Sequence, residues 1–248
     1  MNKISFHQKV RKYHRYLGVI LGIQFLFWTI GGLYFTWSDM DEIHGDYEKA
    51  HIHPMTSDVS LVSPGDVIDK VKTIDTINFV TDLKLIQILG NPVYQLTYSS
   101  QHDRGNKIQL ANASTGELRR ALTKTEAIDV AKTHFVDDSE VTEVEYLTTT
   151  GNHHEYREQP LPAYAVTFRN PSNTTVYVST ELGQVQKFRN NKWRIFDFLW
   201  MMHTMDYQTR DNFSNWAIRA FSIFGLFTIA SGFTLFFVSR KKKIKTSA

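Results

Sequence analysis

The sequence predicts a membrane-anchored α+β protein, in which two transmembrane helices flank an extracytoplasmic domain of two tandem units, each a helix followed by an antiparallel meander. Two apolar segments lie near the ends of the 248-residue chain. A cluster of Lys and Arg flanks each apolar segment on its outer side. The residues between the segments mix polar and apolar types and contain an internal repeat.

The two apolar segments are residues 16–37 and 216–238. Each is long enough to form a transmembrane helix, because about 20 apolar residues in a helix span a hydrocarbon core of about 30 Å. The first segment is longer than the apolar region of a signal peptide, and Thr36-Trp37-Ser38 lacks the small residues of a cleavage site. We therefore expect an uncleaved anchor at this end.

The charge distribution predicts the orientation of the anchors. Residues 1–15 and 239–248 together carry ten Lys and Arg and no Asp or Glu. Because positive charge collects on the cytoplasmic side of a membrane, both segments are predicted to be cytoplasmic tails, with residues 38–215 outside. Residues 16–238 contain the other 18 Lys and Arg and all 25 Asp and Glu, which gives this part of the chain a net charge of −7. The basic residues thus indicate a lipid bilayer as partner and no nucleic acid.

The chain contains no Cys. Disulfides, iron–sulfur clusters, thiolate zinc sites and covalently attached c-type haem are therefore excluded. Any metal or cofactor would have to be bound by His, Met, Tyr or carboxylates.

The predicted outer region consists of a linker, residues 38–61, and two similar units, residues 62–120 and 121–190. Alternating β-branched and aromatic residues predict three strands in each unit. Each series ends at a glycine turn, Gly116 in the first unit and Gly183 in the second. The predicted strands are 82–88, 93–98 and 107–111, then 140–146, 163–168 and 175–179. A polar stretch over 151–160, which contains His153-His154-Glu155, is predicted to be a solvated hairpin loop.

Both units open with the signature of a helix N-terminus. Ser63 is followed three residues later by Asp66, and Thr123 by Glu126. This spacing is typical of a capping box, in which the cap side chain and the acid each bond the other's backbone N–H.

Residues 191–211 are dense in aromatic side chains and predict an amphipathic helix lying on the outer membrane surface. Trp and Tyr collect at membrane interfaces, which predicts an outer aromatic belt. Its expected members are Trp193, Trp200, Trp216, Tyr34 and Trp37.

The helix of the second unit, residues 123–132 (TKTEAIDVAK), and the two glycine turns resemble the PepSY domain. Residues 11–18 (RKYHRYLG) resemble the start of the PepSY-associated transmembrane helix, and Met202-His203 resembles that family's later His-bearing segment. The resemblance covers nearly the whole chain. It implies a bacterial inner-membrane protein with residues 38–215 in the periplasm. The family's larger relatives include iron-regulated proteins and haem-containing ferric-siderophore reductases with four or more transmembrane helices.

His14 and His203 are the candidate haem b ligands, because neutral imidazole in a helix bundle is a common axial ligand and the resemblance points to haem. The simpler interpretations are a basic interfacial cluster for His14 and a packing role for His203. The two residues are predicted to lie on opposite leaflets, about 30 Å apart. A haem with two His ligands would then need a second chain.

Small residues predict a helix-packing face, because glycine lets two helices approach closely. Its members are Gly18, Gly22 and Gly32 in the first apolar segment and Gly225 and Gly232 in the second. Two alternatives remain open, packing of the two segments on each other and association with a second copy or another membrane protein. Gln24 is expected to hydrogen-bond within this interior.

His51 and His53 would share one face of an extended segment and form a candidate metal site, against the simpler interpretation of a solvated linker. The sequence contains no Ser-His-Asp order, no phosphate-binding glycine loop and no H-E-x-x-H helix. It therefore does not predict a self-contained enzyme. Two functions therefore remain. One is an accessory in iron or ferric-siderophore uptake with haem b-mediated electron transfer, at most part of a ferric-chelate reductase. The other is a non-catalytic periplasmic module that docks a partner or regulates a protease.

Overall fold

The computed structural model describes residues 6–101 and 105–243. Residues 1–5 and 244–248, which belong to the two predicted basic tails, lie outside the described residues. The fold is α+β. The helices are α1 (Phe6–Trp37), α2 (Met40–His44), α3 (Pro64–Ile74), α4 (Lys124–His134), α5 (Asn191–Thr204) and α6 (Trp216–Lys243).

The chain divides into two compact units. Of the described residues, those within 39–194 form the first, which we call the sheet unit, and residues 6–38 with 195–243 form the second, which we call the helix unit. The strands all belong to the sheet unit: β1 (Ile77–Ile88), β2 (Asn91–Ser100), β3 (Asn106–Asn112), β4 (Leu118–Arg119), β5 (Val141–Leu147), β6 (Ala163–Phe168), β7 (Thr175–Ser179) and β8 (Gln184–Arg189).

The sheet unit contains the same arrangement twice. Helix α3 precedes a four-stranded antiparallel sheet of order β1-β2-β3-β4, and α4 precedes a second of order β5-β6-β7-β8. Every strand pairs with its neighbour in sequence, as in a meander. The predicted α+β class with helix-plus-meander halves is therefore confirmed.

Local hydrogen bonds explain where the two sheet-unit helices begin. At α4 the expected capping box is present: the Thr123 N–H donates to Glu126 Oε2 at 2.8 Å, and the Glu126 N–H donates to Thr123 Oγ1 at 3.4 Å. At α3 the Ser63 hydroxyl oxygen instead accepts from the Gly65 N–H at 3.2 Å. Both bonds satisfy N–H groups that have no partner within the helix.

The two glycine turns occupy equivalent places. Gly116 has φ +70° and Gly183 has φ +69°, and each N–H donates to the carbonyl four residues earlier, at 2.8 and 3.0 Å. L-residues with a side chain rarely adopt this left-handed conformation. A Cβ at Gly183 would also overlap Cδ1 of Ile88, so this side chain would have to shift to admit one.

One hydrophobic core joins the two halves. It combines Ile86, Ile88, Val93 and Leu110 of the first sheet with Ala127, Val130, Ala131 and Phe135 of α4 or its end, and with Val166, Phe168, Val176, Val178 and Phe188 of the second sheet. The Phe135 and Phe168 rings stack with centroids 4.3 Å apart. A smaller core lies between α3 and the first sheet, where Val71 packs beside Leu96. The halves therefore fold as one unit.

The prediction of a linker over residues 38–61 fails for residues 39–50, which are part of the sheet unit. Ile43 is completely buried in α2. The Ala50 N–H donates to the His134 carbonyl at 2.8 Å, and the Glu48 carboxylate accepts from the Thr174 hydroxyl at 2.7 Å. The polar composition suggested solvent exposure, but these polar groups have partners inside the fold.

The helix unit contains two helices that are long and apolar enough to cross a membrane. The qualifying stretches are Gln8–Trp37 of α1 and Trp216–Phe237 of α6. The helices pack on each other, yet most of their large apolar side chains remain exposed, for example Ile20 at 68% and Leu226 at 69%.

Candidate functional site

His14 belongs to α1, and its side chain contacts α6. Its Nδ1 is 2.7 Å from the Ser231 hydroxyl oxygen, and the Ser231 hydroxyl donates to the Thr228 carbonyl at 2.7 Å. This arrangement is compatible with the neutral tautomer in which His14 Nδ1–H donates to Ser231. In that tautomer Nε2 carries a lone pair that could bind a metal.

Helix α5 lies along α1, whereas the sequence predicted a helix over 191–211 on the membrane surface. It ends at Thr204. The Phe35 ring contacts Phe196 at 4.9 Å and Trp200 at 5.8 Å, and the His203 ring stacks on Trp28 at 5.3 Å. Contacts spaced three to four residues apart on both helices hold α5 lengthwise against α1.

Two side chains of α1 cap the end of α5. The Gln24 amide donates to the Met202 carbonyl at 2.7 Å, and the Trp28 indole donates to the His203 carbonyl at 2.8 Å. These carbonyls belong to the last turn of α5, where no helix partner exists. Gln24 thus bonds α5, whereas the sequence predicted a hydrogen bond within the glycine-lined face of the two apolar segments.

His203 is enclosed by aromatic rings. Trp28, Phe35 and Trp200 all lie within 6.4 Å of its ring, measured between centroids. Its Nδ1 is buried and has no hydrogen-bond partner in the described part of the chain. A buried polar atom of this kind suggests a missing partner, such as a water, an ion or a cofactor.

The structure does not bring His14 and His203 together. His203 stacks on Trp28, which is 14 residues from His14 on α1, or about 21 Å along the helix axis. This is shorter than the expected 30 Å, because α5 extends beside α1 instead of stopping at its end. The two imidazoles still cannot ligate one iron within one chain.

The predicted glycine face is mostly unpacked. Only Gly232 lies at the contact between α1 and α6, where a Cβ would come within 3.4 Å of the His14 ring. A Cβ on Gly18, Gly22, Gly32 or Gly225 would meet nothing within 4 Å. Close packing of α1 on α6 therefore does not account for these four glycines.

His51 and His53 do lie side by side, with ring centroids 5.8 Å apart. Among residues 6–101 and 105–243, no group of three His, Cys, Asp or Glu could hold a metal ion. The pair remains two ligands of the three or four that a metal site needs.

A larger feature of the sheet unit is a cleft of about 510 Å³ beside β8, the edge strand of the second sheet. We call it the β8 pocket. Residues 44–52 form one wall, the end of α4 forms another, and β8 forms the third. Its lining residues are His44, Asp46, Lys49, Ala50, Ile52, His134, Val185, Gln186, Lys187, Phe188 and Arg189.

Lys49, Lys187 and Arg189 line the β8 pocket beside one acid, Asp46, but the Arg189 guanidinium is bonded to the 151–160 loop at the Glu155 carbonyl. Lys49 pairs with Asp46. The Arg189 guanidinium stacks on the Trp193 ring at 3.9 Å, and burial lowers its pKa to about 10. Lys187 is half-buried and makes no hydrogen bond or ion pair in the described part of the chain. Burial, followed by the charges of Arg189 and Lys49, lowers the pKa of Lys187.

The loop predicted to be solvated, residues 151–160, covers the outer face of the second sheet. Tyr156 is completely buried. The Glu155 carboxylate accepts from Arg194 Nε and Nη2 at 2.7 and 2.9 Å and from the Tyr177 hydroxyl at 2.7 Å. Burial and the nearby Glu155 charge raise the pKa of Tyr177. Glu155 bonds residues far away in sequence, which local composition does not reveal.

Sequence reasoning missed the β8 pocket. The available signal was the alternation of Lys187 and Arg189, two residues apart on one face of a strand that follows the Gly183 turn. Residues 44–52 gave no comparable signal, because their packing depends on contacts with α4 and β8.

Comparisons with protein-family models, with curated proteins and with solved structures found no match to this chain.

Proposed function

We propose that the chain is a PepSY-type protein of the bacterial inner membrane, and that its sheet unit is a non-catalytic periplasmic binding module for iron or ferric-siderophore uptake. The β8 pocket carries this proposal. Its volume of about 510 Å³ falls within the range of about 300–1,000 Å³ that is typical of small-molecule sites. Its lining combines apolar side chains with a few charged groups, as such sites do.

The anchors support the location. In sequence, the sheet unit lies between α1 and α6, the two helices that are long and apolar enough to cross a membrane. The ten cationic and no acidic residues of the flanking segments favour cytoplasmic tails. The sequence resemblance to PepSY proteins supports the iron-uptake context.

Occupancy of the pocket in the cell tests the proposal. The natural absence of Cys allows a single Gln186→Cys label site in the pocket. We expect a membrane-impermeant maleimide to label it more slowly in whole cells than in washed spheroplasts, which have lost periplasmic ligands. Asn152→Cys, on the exposed part of the 151–160 loop, should react equally in both and serves as the control. Equal labelling of residue 186 in cells and spheroplasts would contradict a ligand-binding role.

Haem b-mediated electron transfer is the second candidate function. It is favoured by the unpartnered Nδ1 of His203 and by the placement of His14, which bonds Ser231 through Nδ1 and could bind a metal through Nε2. His14 also has the hydrogen-bonded ring nitrogen that orients a metal-binding imidazole. Each histidine could serve as one axial ligand of a haem, and bound haem would supply one-electron transfer. The second ligand would come from another chain, for which the four unpacked glycines leave room.

An absorption spectrum of the detergent-purified protein, made with sufficient haem, tests this candidate. A Soret band that shifts or disappears in His14→Ala or His203→Ala would support it. His153→Ala, an exposed histidine in the sheet unit, is the matched control and should leave the band unchanged. A colourless wild-type protein would exclude haem and leave the binding module.

A further inference from the structure

One positive charge at the β8 pocket, that of Lys187, has no acidic partner in the described part of the chain. Asp46 is engaged by Lys49, and the Arg189 guanidinium donates to the Glu155 carbonyl at 2.9 Å while keeping its charge. Lys187 sits beside both cations without an acid of its own. Like charges held together in a partly buried site repel each other, and a bound anion removes that repulsion.

The pocket also has an apolar part. Phe188 is buried, and its ring lies 5.5 Å below the Lys49 ammonium. Val185, Ala50 and Ile52 extend this apolar lining. A simple inorganic anion would leave the apolar side uncovered, whereas a ligand with an apolar body would bury it and gain about 25 cal/mol per Å² of apolar area.

The unpaired edge of strand β8 supplies further hydrogen-bond donors. β8 pairs with β7 on one side only, so part of its backbone N–H and C=O groups face away from the sheet. Residues 48–50 make backbone hydrogen bonds to the His134 carbonyl and the Val136 N–H at the end of α4, and not to β8. The open edge and the cations therefore border the same cleft.

We propose that the β8 pocket binds an organic oxyanion, a phosphate or carboxylate group attached to a small apolar body, with Lys187 as the principal charge contact. This inference rests on the proposed binding function and names the ligand class of the same site. Lys suits such a group as a mobile point charge, and Arg189 is already held by Trp193 and Glu155.

Calorimetric titration of the full chain in phosphatidylcholine nanodiscs tests the proposal, with phenyl phosphate as the probe. Inorganic phosphate tests the charge contact alone, and neutral phenyl glucoside tests the apolar contact alone. We expect phenyl phosphate to bind most tightly and to bind more weakly as salt is raised, because salt screens partly exposed charges. Hydrogen exchange should show new protection in residues 44–52 and 184–189.

Charge variants identify the contact. Lys187→Gln should weaken phenyl phosphate binding by about tenfold or more, the usual effect of losing a charge-assisted hydrogen bond. Lys187→Arg should retain most of the affinity. Lys124→Gln, the same charge change at an exposed position of α4, should have no effect. Circular dichroism spectra that match wild type would show that each variant is folded.

The anion could be a free solute or a lipid headgroup. Nanodiscs that contain phosphatidylglycerol distinguish the sources: a headgroup would protect residues 44–52 without added probe and would compete with phenyl phosphate. Either source supports the oxyanion site. No binding of any anion, or binding unchanged by Lys187→Gln, would overturn it. That result would leave the cellular labelling of residue 186 as a separate test of the binding module.

Discussion

Removing the Gln24 amide should loosen the end of α5. In Gln24→Leu, the Met202 carbonyl loses its donor at 2.7 Å, although the side-chain volume is nearly kept. Gln24 is 13 residues before Trp37, or about 20 Å from the end of α1 along its axis. If α1 crosses a membrane, water is scarce at that depth and the carbonyl has few other partners.

The expected magnitude follows from the membrane setting. An unsatisfied buried carbonyl in a soluble protein costs about 1–3 kcal/mol. Hydrogen bonds in membrane proteins average about 0.6 kcal/mol, with a maximum of about 1.7, because the unfolded chain in the bilayer also finds partners. We use the second range. It corresponds to about 3- to 20-fold faster amide exchange in the last turn of α5, where exchange reports local opening.

Hydrogen-exchange mass spectrometry of the full chain in nanodiscs measures this effect on peptides covering residues 196–204. Trp28→Phe should act in the same direction, since it removes the indole donor to the His203 carbonyl but keeps an aromatic ring. Thr29→Val is the control, because Thr29 is exposed and bonds only its own helix, at the Phe25 carbonyl. Unchanged exchange in Gln24→Leu would refute the capping of α5 by α1.

Three further predictions concern local conformation and charge. Thr123→Ala should lower the free energy of unfolding of the sheet unit by about 1 kcal/mol, because it removes a capping box, and thermal unfolding would detect this. Gly183→Ala should destabilise more than Gly90→Ala. Both need a left-handed conformation that costs an L-residue about 1–2 kcal/mol, but a Cβ at Gly90 meets nothing within 4 Å. Equal losses would contradict the close approach to Ile88. Burial opposes ionisation of Asp206, but hydrogen bonds led by that from the Thr209 hydroxyl prevail and lower its pKa to about 2. Asp206 thus stabilises the fold above its unfolded pKa of 3.8, and this contribution is lost as the pH falls towards 2. Acid titration of unfolding should show a smaller loss in Asp206→Asn than in wild type.

Local signals predicted much of the sheet unit. The strands 163–168 and 175–179 have the bounds expected from their alternating β-branched and aromatic residues, and Thr123 caps its helix through Glu126. The Gly183 turn also lies where the sequence placed it. These features depend on neighbours within a few residues, which a single sequence displays.

The missed features depend on long-range contacts. Glu48 looked like part of a polar linker, yet it bonds Thr174, 126 residues away. The position of α5 depends on Gln24 and Trp28, whose partners are about 175 residues distant in sequence. The β8 pocket likewise forms from three separate segments. No local pattern specifies such pairings.

Membrane orientation is the central claim, and single-cysteine labelling tests it most directly. The cysteine-free chain accepts one label site at a time, at Asn152 in the sheet unit and at Lys9 or Ser247 in the flanking segments. We expect a membrane-impermeant maleimide to label Asn152→Cys in intact spheroplasts. Lys9→Cys and Ser247→Cys should react only after permeabilisation. Labelling of either flanking site in intact spheroplasts, or protection of Asn152→Cys, would contradict an anchored periplasmic module.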